Sequence, residues 1–282
     1  MSIELSVLAP HVASIFDEEQ APEYQQKLIA SMKQVSRQVC ELNPDVIVLV
    51  SCHWESAFSH FVDCTPVHKG ILTGFEEPDL IHDVPYNYPG DQDLAYKLVR
   101  AGQVAGIPVQ GVNDPYFVWD SGTLVPLRYL VPNGDISVIN LSVTLAADLE
   151  ETYKWGQIIA SVIRENGKKA VFISSGSLSH NIVRGRQNMP TLSEQAMNSQ
   201  FLQLLMKKEY EVAFDMLPQY ASLAKVESGG RHLAMLLAVI EPGSEPVYLA
   251  EGKSSASWNA VVTFSKTISS HVTLAAESEY VK

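Results

Sequence analysis

The stretch VIVLVSC at residues 46–52 runs directly into His53, and it is the clearest indication of the fold in the sequence. An unbroken apolar run of this length is typical of a strand buried on both faces, as in a parallel sheet between layers of helices. Three other runs lead to a residue suited to metal binding or proton transfer: SVLAP before His11, AVFI before the turn that holds His180, and VYLA before Glu251. Because ligands bind beyond the carboxyl ends of such strands, we expect these four side chains at one edge of the sheet.

Helical periodicity alternates with strand-like runs along the chain. Helices are predicted over 21–42, 91–105, 149–165, 192–209 and 230–240, and further strands over 107–112, 136–143, 247–250 and 260–264. The stretch 70–90, rich in proline and aromatic residues, is predicted to be an ordered loop over a site. The pattern predicts an α/β fold with one domain over 1–282, in which a central, mostly parallel sheet is flanked by helices. The polar tail, 266–282, is expected to be loosely held.

Composition limits the classes of function. The chain has 282 residues, of which 46% are apolar and 18% charged, as in globular proteins. No apolar run is long enough to cross a membrane, and we expect no signal peptide. A net charge of −12 without a basic cluster argues against nucleic acid or an anionic membrane as partner. An odd count of three cysteines predicts a reducing cytoplasm, and Cys52 is expected to be a buried apolar residue, not a thiolate ligand.

The candidate metal ligands are His11, His53 and Glu251. Two imidazoles and one carboxylate on one face of an ion leave positions open for substrate, as in non-haem Fe(II) oxygenases. Zinc hydrolases also use two histidines and a glutamate, so the ligand types alone leave the metal open. Each residue taken singly is better explained as a polar side chain at a strand end. The occurrence of all three at equivalent strand ends favours a metal site.

The candidate proton-transfer residue is His180. It follows SSGSLS at 174–179, a small, glycine-containing turn that allows close approach of a ligand. An imidazole with a pKa near 6.5 can hold or release a proton at neutral pH. A capping or surface histidine is the alternative. The turn lacks the Gly-x-Ser-x-Gly pattern of a nucleophile elbow, so a serine hydrolase is not favoured.

Candidate substrate-binding residues occur in two further segments. A glycine pair at 229–230 precedes Arg231 and His232 at a predicted helix start, where backbone N–H groups favour an anion. These side chains could meet a carboxylate or phenolate, and the alternative is a helix N-terminus with solvated charges. Tyr86 and Tyr88 could line an aromatic pocket or pack the loop that carries them.

Seven short segments together resemble the LigB-type (class III) extradiol ring-cleavage dioxygenases, above all the branch with 3,4-dihydroxyphenylacetate 2,3-dioxygenases and 2-aminophenol 1,6-dioxygenases. The resemblance runs from His11 to about Phe264, and it depends on the order and spacing of the segments. They are PHV at 10–12, HW at 53–54, Asp83 with YNY at 86–88, SGTLVPLRY at 121–129, SGSLSH at 175–180, MLPQY at 216–220, and Glu251 ahead of NAV at 259–261.

The resemblance implies an enzyme that inserts both atoms of O2 into a catecholic ring to give a ring-opened semialdehyde. It implies Fe(II) held by His11, His53 and Glu251, with His180 as the acid–base residue. It also implies a small aromatic substrate, and either a homo-oligomer or pairing with a paralogous subunit.

The sequence departs from the family pattern at two positions. Many relatives carry a histidine or tyrosine where this chain has Ser121, and the dihydroxyphenylacetate enzymes have a histidine near Val112. Ser121 is therefore a candidate substrate-binding residue. Other functions considered are a 2-aminophenol-type subunit, a zinc hydrolase, a non-catalytic subunit on the same scaffold, and a module that only binds an aromatic acid. The presence of all the expected ligand types together with His180 argues against a subunit that has lost its metal.

Overall fold

The computed structural model describes residues 2–75, 77–181, 189–254 and 256–266. In this part of the chain the strands are β1 (Ile3–Ala9), β2 (Val46–Ser56), β3 (His60–Asp63), β4 (Val67–Leu72), β5 (Val84–Pro89), β6 (Val109–Val112), β7 (Ser137–Thr144), β8 (Ala170–Ser175), β9 (Glu245–Ser254) and β10 (Ser257–Ser265). The helices are α1 (Gln26–Leu42), α2 (Gln92–Val104), α3 (Ser121–Leu130), α4 (Leu149–Asn166), α5 (Leu192–Met206), α6 (Tyr210–Leu223) and α7 (Arg231–Val239).

Eight strands form one sheet in the order β6-β3-β7-β2-β8-β1-β10-β9. The four central strands, β7, β2, β8 and β1, are mutually parallel, whereas β3, β10 and β9 each run antiparallel to an inner neighbour. The predicted α/β class with a mostly parallel central sheet is confirmed. All four parallel strands end at the same edge, which is where the candidate residues are expected.

Both faces of the sheet are buried because alternate residues of each strand point to opposite sides. Val46, Val48 and Val50 of β2 belong to a core shared with α2, α4 and α7. Ile47 and Leu49 belong to a second core on the other face, shared with α1 and α3. This two-sided burial explains why β2 reads as an unbroken apolar run.

Three segments differ from the predictions. Residues 70–90 are not wholly a loop, since β5 pairs with β4 as an antiparallel hairpin. Residues 121–130 form the helix α3, which was not predicted. The helix α6, which contains Pro218, was not predicted. The predicted loose tail lies outside the described residues, apart from Lys266. Among the helices described, none has both the length and the apolar character needed to cross a membrane.

Candidate metal centre

One group of possible metal ligands occurs in the described part of the chain, and it consists of His11, His53 and Glu227. Oε1 of Glu227 lies 3.1 Å from Nε2 of His11 and 3.6 Å from Nε2 of His53. The His11 and Glu227 side chains are buried, whereas that of His53 is 35% exposed. The three donor atoms thus converge on one point of a largely buried site, and a ligand can approach it from the exposed side of His53.

The carboxylate predicted from the sequence, Glu251, is not the one that lies with the two histidines. Glu251 is on β9, and its Oε2 accepts a hydrogen bond from Nε1 of Trp258 at 3.1 Å. The reason is the strand order. His53 is on β2, and β9 is the edge strand, four positions away in the sheet. At the spacing of neighbouring strands, the two strands are about 19 Å apart.

Local irregularities of the strands orient the two histidines. His11 is separated from the end of β1 by Pro10 alone. His53 lies inside β2, but the register of β2 against β7 shifts between Ser51 and Glu55. Such a bulge turns a side chain away from the regular alternation, and bulges are frequent beside active sites. His53 therefore reaches the site although its strand continues to Ser56.

Glu227 occupies a short 3-10 turn before α7, in a segment of unusual backbone conformation. Lys225 and Ser228 have φ values of 53° and 48°, in the left-handed region that residues with a side chain rarely occupy. The turn is held by the backbone N–H of Glu227, which donates to the Leu178 carbonyl at 3.2 Å, and by a bridge between Ser179 and Val226. The N–H of Ser177 donates to Oε2 of Glu227 at 2.5 Å. Strained backbone that the surroundings hold in place is common at functional sites.

The electrostatics of the group favour a cation at its centre. Burial raises the pKa of Glu227, but the charge of His11 and the hydrogen bonds from both histidines outweigh it and hold the pKa well below its usual range. Burial lowers the pKa of His53, yet the hydrogen bond and charge of Glu227 raise it to about 9. A buried carboxylate needs a compensating charge, since desolvation costs several kcal/mol. Protonated His53 supplies such a charge in the metal-free protein. A divalent ion on the same N, N, O donor set would supply it otherwise.

Cys52 does not belong to this group of donor atoms. Its side chain is 2% exposed, and burial raises the pKa of its thiol well above the usual range. The residue is a buried thiol, as predicted.

His180 is carried to the site by the loop after β8. Its backbone N–H donates to the Lys225 carbonyl at 2.7 Å, two residues before Glu227, and its charge contributes to lowering the pKa of Glu227. A buried network supports this loop: Nδ2 of Asn198 donates to Oγ of Ser179 at 2.9 Å, and Oη of Tyr220 donates to Oδ1 of Asn198 at 2.8 Å. The structure therefore holds the backbone of His180 beside the turn that carries Glu227.

The predicted substrate residues after the glycine pair have structural partners. The guanidinium of Arg231 donates to the backbone carbonyls of Leu145, Ala147 and Ser228. His232 is fully buried, and its Nε2 lies 3.1 Å from the carbonyl oxygen of Ser177. Burial lowers its pKa to about 4, so the ring is neutral and donates through Nε2–H. Both side chains shape the loops around Glu227.

The remaining predicted substrate residues fall in two places. Oγ of Ser121 lies 3.0 Å from Nδ1 of His53, so the hydroxyl contacts a possible ligand directly.

Tyr86 and Tyr88 are buried against Trp119, and Oη of Tyr86 accepts the Trp119 N–H at 2.8 Å. With Phe16 and other residues they line a separate cavity of about 490 Å³. Their role in substrate binding stays a prediction.

Two residues of the site were missed from the sequence. Glu227 lacks a strand or helix pattern of its own, but it stands just before the glycine pair that the sequence marked as a special turn. Ser175 lies within the marked segment 175–180, and its Oγ is 3.1 Å from Nδ1 of His11.

Comparisons with known proteins find relatives over nearly the whole chain. Residues 5–263 match the family described as the catalytic LigB subunit of aromatic ring-opening dioxygenase. The chain is 25% identical to 3,4-dihydroxyphenylacetate 2,3-dioxygenase of Escherichia coli, over 83% of this chain and 88% of that protein. It is 24% identical to the beta subunit of 2-aminophenol 1,6-dioxygenase of Pseudomonas sp, over 90% of this chain and 93% of the subunit. The fold is similar to a crystal structure of an uncharacterised Escherichia coli K12 protein, with a TM-score of 0.63, 18% identity, and coverage of 92% of this chain and 99% of that one.

Proposed function

Since the chain belongs to the LigB family of aromatic ring-opening dioxygenases, we propose that it is a non-haem Fe(II)-dependent extradiol dioxygenase acting on a small catecholic ring. The observation that carries the proposal is the convergence of His11, His53 and Glu227 at the carboxyl edge of the parallel strands. Members of this family are metal-dependent, and the donor set of two imidazoles and one carboxylate is that of Fe(II) oxygenases.

We assign the ligand roles to His11, His53 and Glu227. In this assignment Glu227 replaces Glu251, because only Glu227 lies within reach of both imidazoles. Bound Fe(II) would hold two adjacent heteroatoms of the ring and would also donate electrons to dioxygen. Zinc has no redox chemistry and could not supply the electron donation. The exposed side of His53 is the direction from which a planar substrate would enter.

We assign proton transfer to His180. Its backbone is held beside the Glu227 turn by the hydrogen bond from its N–H to the Lys225 carbonyl. A neutral His180 would accept a proton from a substrate hydroxyl and return it later to an oxygen of the ring-opening product. General acid–base catalysis of this kind contributes about 10²–10⁴-fold to a rate.

The substrate class is a single aromatic ring with two adjacent heteroatoms. Two named relatives act on 3,4-dihydroxyphenylacetate and on 2-aminophenol, and both ring types fit two neighbouring open positions on one ion. Arg231 is not proposed to bind a substrate carboxylate, because its guanidinium already donates to three backbone carbonyls.

An oligomer is also proposed, either of identical chains or with a paralogous subunit. Support comes from the two subunits of a Pseudomonas aminophenol dioxygenase, since the chain is similar to both. Light scattering of the purified chain, alone and with any co-purifying subunit, tests this directly. A monomer with full activity would contradict it.

The decisive experiment is an anaerobic reconstitution with Fe(II) followed by oxygen-uptake measurements. Catechol, 3,4-dihydroxyphenylacetate, protocatechuate, gallate and 2-aminophenol form the substrate panel, and product absorbance reports ring opening. Protein loaded with Zn(II) is the matched control. We expect one oxygen molecule consumed per ring opened with Fe(II) and none with Zn(II). Ester or amide hydrolysis by the zinc form, without oxygen uptake by the iron form, would overturn the proposal in favour of a hydrolase.

A further inference from the structure

We propose that Ser175 is a positioning residue that fixes which nitrogen of His11 is free to bind a metal. The inference rests on the metal site proposed above and concerns this chain's own hydrogen bonds. Two residues of the first turn of α3 are involved: Ser121 contacts His53, and the Gly122 carbonyl accepts a hydrogen bond from Ser175.

The carbonyl of Gly122 lacks its usual helical partner. In an α-helix this oxygen accepts the N–H of the residue four positions later, which here is Pro126, and proline has no N–H. A buried carbonyl left without a donor is costly, so another group must satisfy it. Oγ of Ser175 lies 2.5 Å from the Gly122 oxygen and is the donor.

This bond commits the only proton of the Ser175 hydroxyl. A carbonyl can only accept, so the O–H must point to Gly122 and not to His11. Oγ of Ser175 is also 3.1 Å from Nδ1 of His11. With its proton already used, the oxygen can only accept there, and Nδ1 must carry a hydrogen. In a neutral ring the lone pair is then on Nε2, the atom 3.1 Å from Glu227.

His53 provides an internal comparison. Its Nδ1 lies 3.0 Å from Oγ of Ser121, the first residue of the same helix. No second partner of that hydroxyl is recorded among the described residues, so its proton is free to rotate. Ser121 can therefore hydrogen-bond to either tautomer of His53, whereas Ser175 can hydrogen-bond only to the tautomer of His11 that carries a hydrogen on Nδ1. We expect the two serines to differ in effect although both contact a ligand imidazole.

The test is Zn(II) binding to Ser175→Ala, Ser121→Ala and Ser142→Ala, with ¹⁵N-histidine spectra of the Zn(II)-loaded proteins. Ser142 is the matched control, since it is a fully buried serine of β7 whose hydroxyl accepts the Phe61 N–H and contacts no histidine. Loss of a partner that orients a ligand typically costs about 10–100-fold in metal affinity. We expect that loss in the Ser175 variant, a smaller one in the Ser121 variant, and none in the Ser142 variant.

The spectra give a readout that a merely structural role would not move. In the wild-type protein, His11 should bind Zn(II) through Nε2 and show a protected Nδ1–H, and in Ser175→Ala that protection should disappear. Coordination through Nδ1 in the wild type would overturn the proposal even if the variant failed to fold. Unchanged affinity and an unchanged Nδ1–H in Ser175→Ala would overturn it as well. A wild-type protein that binds neither Zn(II) nor Fe(II) overturns the metal site itself and this inference with it, so the two failures are distinguishable.

Discussion

Oε1 of Glu227 and Nε2 of His11 are 3.1 Å apart, and this contact joins the end of the first strand to a turn late in the chain. The carboxylate is buried, its other oxygen accepts the Ser177 N–H, and its pKa is held low by the neighbouring imidazoles. A carboxylate so placed is ionised across the physiological range and is ready to bind a cation.

Replacement of Glu227 should remove the metal, whereas replacement of Glu251 should not. We expect Glu227→Gln to weaken Fe(II) or Zn(II) binding by more than about 100-fold, because loss of an orienting partner alone costs about 10–100-fold. Glu251→Gln is the matched control, since it contacts Trp258 on the edge strand. Metal content of the two purified variants checks this, and the opposite pattern would return the ligand role to Glu251.

Replacement of His180 should slow turnover and leave the metal in place. Its side chain is proposed to move protons, so His180→Gln should reduce kcat by about 10²–10⁴-fold. Fe(II) affinity should stay within a few-fold of wild type, because the three ligands are intact. Loss of iron from this variant would show that His180 supports the metal centre instead.

Replacement of Gly122 by alanine should disturb the site through sterics. A Cβ at this position would lie 2.4 Å from Oγ of Ser51 and 3.0 Å from Oδ1 of Asp120, the residue that caps α3. Alanine favours a helix by up to about 1 kcal/mol over glycine. Overpacking costs about 1–3 kcal/mol, so the clash should prevail.

Urea unfolding and Zn(II) titration of Gly122→Ala measure both consequences. The control is Gly252→Ala on β9, where a new Cβ meets only the Leu28 side chain at 3.2 Å. A Gly122→Ala variant that is more stable than wild type and binds metal normally would show that the first turn of α3 accommodates the added methyl group.

Much of the scaffold was accessible from the sequence because its signals are local. Unbroken apolar runs mark the parallel strands, and Asn43 before Pro44 marks the end of α1, where Asn43 takes a left-handed conformation with φ of 46°. His11 and His53 were found because each adjoins such a run. Convergence at one edge follows from parallel strands alone and needs no knowledge of their order.

Glu227 was missed because its place depends on strand order and loop contacts, which no local pattern encodes. The run before Glu251 does end at a glutamate, but the sequence does not tell that β9 pairs with β10 at the far edge of the sheet. The Glu227 turn is positioned by long-range bonds to Leu178 and Ser179. A carboxylate just before a glycine pair was the one local signal available.

A second buried pair, Asp63 and His68, should matter for stability. Oδ2 of Asp63 lies 3.1 Å from Nδ1 of His68, whose Nε2 is 3.0 Å from the Val138 carbonyl oxygen. The same carboxylate oxygen accepts the indole N–H of Trp119 at 3.1 Å, so Asp63 bonds two buried rings. Asp63→Asn removes the charged acceptor of these buried bonds, so we expect a loss of about 1–3 kcal/mol in the free energy of unfolding.

The pH dependence of this loss has a definite sign. Burial raises the pKa of Asp63, but His68 outweighs it and the pKa is lowered below its usual value. The unfolded chain, with a carboxyl pKa near 3.9, binds the proton more readily, so the stabilisation is present above that pH and disappears on further acidification. Urea unfolding of wild type and Asp63→Asn from pH 7 to pH 3 should show their difference shrinking in acid. A difference independent of pH would mean that packing, not charge, is lost.

His232 should make the metal-free protein sensitive to mild acid. Its ring is fully buried over Gly176, where an added Cβ would lie 2.6 Å from the imidazole, and burial lowers its pKa to about 4. Between pH 6.5 and pH 4, His232 therefore binds a proton in the unfolded chain but not in the folded chain. The stabilisation is complete above pH 6.5 and is lost as the pH falls, by on the order of 3 kcal/mol at pH 4.

The variant His232→Gln isolates this effect, because the opposite contribution of His53, with its pKa of about 9, is present in both proteins. In chelator-treated samples, the free energy of unfolding of wild type should fall more steeply between pH 7 and pH 4.5 than that of the variant. The variant should be less stable at pH 7, since the Ser177 carbonyl loses the ring N–H that bonds it. Parallel pH profiles for the two proteins would show that the buried ring takes up its proton without unfolding the chain.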